Sequence, residues 1–397
     1  MMKKLWDKKG SGKTNKKIED YTVGVDYLLD LELLPYDIQG TMAHAKMLYK
    51  IKILNAKELK TLLTGLNKIL SLWKARKFKI DKSQEDGHTA IETYLTENYS
   101  DVGKKVHTGR SRNDQSLTMT RLFSKEKLFQ VKKEVQNIIR SLEGQIKKRG
   151  KIKMPGYTHM QRAMPSSVGM WLGSFHASLE DDLILLDAMM KIIDQNPLGS
   201  AAGYGENILG LNRKFTTKEL SFKKVQENPI YCAMSRGKFE NMVLQIISNV
   251  MFDIGKISSD LLLFTTKEFD FFTLPDSFKT GSSIMPQKKN YDVLELIRGN
   301  VGIFNGYQHQ IENVVKNLPL GYNRDFQLTK EPYIKGMKLA LDTIEIMTLI
   351  VKNLKVKKQN LENACTPELY ATDEALKLVK KGKSFREAYQ EIKEKFY

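Results

Sequence analysis

Cysteine is almost absent from this 397-residue chain, which holds only Cys232 and Cys365, far apart in sequence. That argues against a disulfide framework or a multi-cysteine zinc site, and both thiols are expected to be reduced and buried rather than reactive. Proline is scarce too, ten residues in all, so long stretches between prolines are free to stay helical. No apolar run approaches the roughly 18 residues that span a bilayer, and the start MMKKLWDKKG lacks the apolar segment of a signal peptide. The expectation is a soluble, cytoplasmic protein without a membrane partner. Internal repeats, low-complexity tracts and a regular series of alternating strand patterns are missing as well.

Positive charge is in excess: 64 Lys and Arg against 46 Asp and Glu give a net +18. The basic residues are mostly lysines spread along helical stretches, as in VKKEV and LKVKKQN, not gathered into an arginine-rich arm with aromatic platforms. This reads as a solvated surface and argues against a nucleic-acid partner. GSGKT at residues 10–14 resembles a phosphate-binding loop, but Asp7 stands where that pattern needs its first glycine and no apolar strand precedes it. The six histidines form no ligand-spaced pair, so neither a metal nor an organic cofactor is expected.

From Leu128 the apolar positions Val131, Val135, Ile138, Leu142 and Ile146 step by three or four, the spacing of one helix face. Similar periodicity runs over about residues 166–195, 237–268, 289–317 and 329–354, which predicts five long helices. Helices of this length exceed the globular average and need a shared bundle or a partner subunit to bury their stripes. A mainly α, oligomeric protein follows.

Three segments between these helices concentrate reactive side chains. VHTGRSRNDQS, Val106–Ser116, sets two arginines and an asparagine ahead of a long helix. Arginine forks match carboxylates and a helix N-terminus favours anions, although a capped helix start with surface arginines would read alike. PGYTHMQRAMP, Pro155–Pro165, holds Thr158, His159 and Gln161 between two prolines. A histidine there can transfer protons or simply be structural. TGSSIMPQKKN, Thr280–Asn290, joins Gly281, Ser282, Ser283, Lys288 and Lys289 ahead of a helix carrying Glu295. A glycine hinge permits closure and a lysine can stabilise developing negative charge; a polar interhelical loop is the plain alternative.

With NPLGSAAGYG, LELIRGN and YNRDFQ, in that order between Asp86 and Gln327, these segments resemble the argininosuccinate lyases of the aspartase/fumarase superfamily. QKKN after MP separates the branches, since fumarases and aspartases typically carry GKVN there and adenylosuccinate lyases YKRN. The resemblance implies a mainly α fold of three regions: an N-terminal helical domain at 1–105, a central long-helix bundle at 106–355 with the signature loop, and a short C-terminal helical domain at 356–397. It also implies a homotetramer with active sites shared between subunits. The implied substrate is a small anion, argininosuccinate, cleaved to arginine and fumarate in the last step of arginine biosynthesis. By the family's pattern Ser282 is the base and Lys288 stabilises the carbanion intermediate. His159, paired with Glu295, would protonate or orient the leaving nitrogen. Arg112, Asn113, Thr158, Asn290, Tyr322, Arg324, Gln327 and Lys330 match substrate-holding positions, Ser111 and Gln161 line the same pocket, and His88 and Thr89 in EDGHT match a segment near it.

The sequence also departs from the family. Gly87 replaces the usual aliphatic residue, Tyr291 the proline after QKKN, and Met164 a common glutamine. Asp26 falls where many relatives place a substrate-binding serine, with Thr22 and Asp30 as nearby polar candidates. The chain ends soon after FREAY, so an abbreviated C-terminal region is expected. Two other readings stay open: a sister lyase releasing fumarate from another N-succinyl compound, and an inactive structural relative of the lens-crystallin kind, against which Ser282, Lys288 and His159 speak.

Overall fold

The computed structural model describes residues 15–396, so the GSGKT stretch at 10–14 lies outside the described residues. Among the described residues there are fifteen α-helices and four two-stranded sheets, a mainly α fold. No described helix is long and apolar enough to cross a membrane.

All five long helices read from the apolar spacing are present: Arg112–Arg149, Val168–Ile193, Lys238–Phe264, Asp292–Val315 and Lys330–Lys352. The first begins well ahead of its apolar stripe. Along that stripe Leu128, Val131, Val135, Ile138 and Leu142 are fully buried, each contributing about 1.5–3 kcal/mol of transfer free energy. Cys232 is buried and Cys365 half-buried, both as free thiols.

The chain packs as two compact units, each discontinuous in sequence. The first comprises the described residues up to Phe129, Asp187–Gln245 and Gly306–Met337; the second comprises Gln130–Leu186, Ile246–Asn305 and the described residues from Lys338 onward.

In the first unit, helices Asp26–Lys50, Ala56–Lys74 and Gly87–Tyr99 enclose an aliphatic core that includes Leu34, Ile38, Leu48, Leu62, Leu66 and Leu95. Asn55 and Glu58 form a reciprocal capping box that starts the second of these helices. Gly65 lets it approach the third: a Cβ there would meet Leu95 at 2.5 Å and Tyr99 at 2.7 Å. The helix Asp26–Lys50 also buries a polar line, Asp26, Asp30, Asp37, Thr41 and His44, whose steps of four, seven, four and three keep them on one face. Buried polar groups need partners, and these side chains reach Lys330, Gly87, His88, Arg110 and the Thr108 carbonyl in segments distant in sequence, while Asp26 Oδ1 and His44 Nδ1 find none among the described residues.

In the second unit, Trp171 stacks on Phe272 with ring centroids 4.9 Å apart and donates its indole N–H to Asp260 at 2.8 Å. Phe272 belongs to the strand Phe272–Thr273, which pairs antiparallel with Lys355–Val356. A hairpin joins Lys153–Thr158 to Gln161–Ser167, with Pro155 opposite Pro165. The sequence does not announce it as strand, because PGYTHMQRAMP lacks apolar alternation and an Asn-Gly turn. An isolated two-stranded ribbon tolerates prolines because its outer edges need no N–H donor.

Candidate active site

The signature loop is the tip of a short hairpin in the second unit. Thr280–Gly281 pairs antiparallel with Lys289–Asn290, leaving residues 282–288 to turn between them. Ser282 is half-buried, and its Oγ accepts the backbone N–H groups of Met285 at 3.1 Å and Ile284 at 3.3 Å. Ser283, Lys288 and Lys289 are exposed, while Asn290 is half-buried at the ladder. Glu295 is exposed on the first turn of the helix Asp292–Val315.

Thr158, His159 and Gln161 sit at the end of the 153–167 hairpin, all exposed. His159 and Met160 form its two-residue turn with φ of 51° and 60°. Positive φ at both central positions is the geometry of the turn that best matches strand twist, but it normally draws Asn and Gly. For these two side chains it costs on the order of 1 kcal/mol each. His159 and Glu295, expected as a pair, have no side-chain partner within the described chain.

The substrate-holding candidates of the first unit are organised by the polar line of the helix Asp26–Lys50. Lys330 is buried, and its Nζ reaches Asp30 Oδ1 at 2.7 Å and Asp26 Oδ2 at 2.9 Å. Burial alone would lower the Lys330 pKa, yet the two carboxylates outweigh it and raise it, so the ammonium persists. The other oxygen of Asp30 accepts the Gly87 N–H at 2.9 Å. Gly87 matters here because a Cβ would crowd Asp30 Cβ at 3.3 Å. Two departures from the family, Asp26 and Gly87, thus meet in one buried cluster.

His88 Nδ1 lies 2.6 Å from Asp37 Oδ2. Burial opposes the imidazolium, but the Asp37 charge and hydrogen bond prevail and raise the His88 pKa. Asp86 caps the helix Gly87–Tyr99 through the Thr89 N–H. Arg112 extends that cap, with Nη1 3.1 Å from Asp86 and Nη2 donating to Thr89 Oγ1 at 2.8 Å. Ser111 Oγ accepts the Asn113 N–H at 3.2 Å. Arg324 and Gln327 both donate to the Thr22 carbonyl at 3.1 Å, and Tyr322 is exposed beside Phe326.

The first unit therefore brings His88, Thr89, Arg112 and Lys330 onto one framework of aspartates. The second holds Ser282, Lys288 and Asn290 on one loop and Thr158, His159 and Gln161 on one hairpin. Motif reading misses the framework itself: Asp37, Asp86 and Asp114. Asp114 is fully buried and accepts the N–H groups of Ser111 and Gly199, each at 3.0 Å, which locks the start of the long helix to the NPLGSAAGYG segment. The signal that could have found Asp37 is the helical spacing of polar residues on an otherwise apolar helix. Among the described residues no group of three or more His, Cys, Asp and Glu side chains is placed to hold a metal ion.

The mainly α fold thus carries a serine loop and a histidine hairpin in its second unit and an aspartate-braced basic cluster in its first. The chain matches the Lyase family over residues 11–304. It is 42% identical over 397 residues to the argininosuccinate lyase of Thermotoga neapolitana, covering 100% of this chain and 99% of that one. The argininosuccinate lyase of Bacteroides fragilis is 40% identical, covering 99% of this chain and 87% of that one. Among solved structures, an EDDS lyase variant with bound fumarate superposes with a TM-score of 0.81 at 25% identity, covering 96% of this chain and 76% of that one. This chain belongs to the argininosuccinate lyase family.

Proposed function

We propose that the protein cleaves argininosuccinate to arginine and fumarate, the last step of arginine biosynthesis, as a carbon–nitrogen lyase. The observation that carries the reading is identity of 42% to a named argininosuccinate lyase along the entire chain. Ser282 is the base. A serine hydroxyl is a poor one unless its anion is stabilised, and the two N–H groups aimed at Oγ favour the charged form. It removes a proton from the carbon beside a substrate carboxylate, and the electron pair moves into that carboxylate. Lys288, on the same loop, stabilises the doubly charged group that results. As the pair returns to form the double bond of fumarate, the C–N bond breaks and the guanidinium nitrogen takes a proton on the side of His159 and Glu295. Arg112, Asn113, Thr158, Asn290, Tyr322, Arg324, Gln327, Lys330, His88 and Thr89 hold the substrate.

The same reading includes the three-region division at 105 and 355, a cytoplasmic location and a homotetramer with shared sites. Supporting the tetramer, long helices of the second unit expose Met170, Ile184, Phe252, Leu296 and Ile303, each more than half accessible. Large apolar residues in such numbers call for a covering surface. The test is to incubate purified protein with argininosuccinate, adenylosuccinate, aspartate and malate and to follow fumarate. Rapid release from argininosuccinate alone is expected; comparable turnover of adenylosuccinate or aspartate would sink the assignment.

A further inference from the structure

Tyr291 stands where the family usually has proline, immediately after Asn290 closes the ladder of the serine loop. Its hydroxyl lies 3.0 Å from Thr273 Oγ1 and accepts the Leu274 N–H at 3.2 Å. Lys279 Nζ sits 5.5 Å from its ring centroid. On the opposite leg of the loop, Thr280 Oγ1 donates to Asp292 Oδ2. Both legs are thereby tied at their base, while residues 283–289 are exposed. The anchor itself is firm: Phe272–Thr273 is paired with Lys355–Val356, and Phe272 is buried beneath Trp171.

A proline at this place would stiffen the leg covalently, since its ring fixes φ near −65°. Tyrosine leaves φ free, so stiffness at the hinge must have another source. We infer that Tyr291 is a positioning residue that substitutes a hydrogen-bonded anchor for the proline ring, fixing one leg of the loop against the strand Phe272–Thr273 and so setting where Ser282 and Lys288 come to rest. The inference rests on the proposal that this loop carries the base. It does not require Tyr291 to touch substrate.

The experiment compares Tyr291→Phe, Thr273→Val, their double variant and Tyr291→Pro in the full-length protein. It measures kcat and KM with argininosuccinate and amide hydrogen exchange across residues 283–288. Tyr291→Phe should lower kcat about three- to tenfold with KM changed less than about twofold, and should speed exchange at the loop amides. The double variant should be no worse than Tyr291→Phe, because the two side chains share one bond. Tyr291→Pro should recover most of the kcat. A purely structural tyrosine would lower the melting temperature and leave kcat of the folded protein unchanged. Unchanged kcat in Tyr291→Phe, multiplying effects in the double variant, or a Tyr291→Pro no better than Tyr291→Phe would each overturn the inference. Ser282→Ala, run alongside, separates the two levels. If it stays active the catalytic reading of the loop falls; if it is dead while Tyr291→Phe is fully active with unaltered exchange, only the role of Tyr291 falls.

Discussion

Ser282 Oγ accepts the backbone N–H of Met285, three residues further along its own loop, at 3.1 Å. The loop thus holds its serine oxygen ready for negative charge with main-chain donors alone. Ser282→Ala should nearly abolish turnover while substrate binding and assembly persist, because a loop hydroxyl contributes little to a core. Ser283→Ala is the control, exposed and one residue on. Single-turnover kinetics with argininosuccinate separates binding from chemistry; a dead Ser283→Ala beside an active Ser282→Ala would move the base by one position.

If Lys288 is the cation that stabilises the doubly charged intermediate, Lys288→Met removes it. A loss of at least about 10²-fold in kcat is expected, the size typical of one transition-state charge donor. Retention of more than about a tenth of the activity would assign that role elsewhere.

If sites are shared between subunits, mixing a variant disabled at His159 with one disabled at Ser282 should regain activity, since some sites then receive both intact residues. Verified mixed tetramers that stay inactive would place the two residues in one chain's site.

Lys330 compensates two buried carboxylates, so Lys330→Met leaves Asp26 and Asp30 facing each other with no ammonium between them. Removing one member of a buried ionic cluster costs about 3–5 kcal/mol. Urea denaturation should show the loss; a midpoint unchanged from the parent would mean the cluster relaxes without cost.

Asp182 gives a pH signature of its own. Burial, followed by the charges of Asp253 and Asp181, pushes it up to about 7. An unfolded aspartate ionises near its ordinary value of 3.8, so between that pH and about 7 the unfolded chain has released a proton that the folded one keeps. Stability tied to this group is present at low pH and lost as pH rises to about 7. Asp182→Asn should remove that slope and stabilise the protein above about pH 7 by on the order of 2 kcal/mol, with little change at about pH 4. Melting temperatures measured from about pH 4 to 8 would show it; parallel curves for parent and variant would refute it.

The long helices are legible in the sequence because burial imposes a period: the spacing of Val131, Val135 and Ile138 alone announces their face, and all three are fully buried. The motifs are legible because a serine and two lysines in one short loop, or a histidine between two prolines, are chemically unusual company. The support cannot be read in the same way. Asp37 meets His88 across 51 residues and Asp30 meets Lys330 across 300, and a pairing at that distance leaves no trace in local spacing. The hairpin is hidden for a different reason: its turn uses His159 and Met160 in a backbone conformation for which neither residue is a signal.

That turn sets a limit for anyone who wishes to make the enzyme more robust. A redesign aimed at thermal endurance would place Asn-Gly at 159 and 160, relieve the left-handed backbone and gain about one to a few degrees in melting temperature. It would also remove the His159 imidazole, and if that imidazole has the role proposed for it in the reaction, the most obvious improvement to this protein is also the one that would silence it.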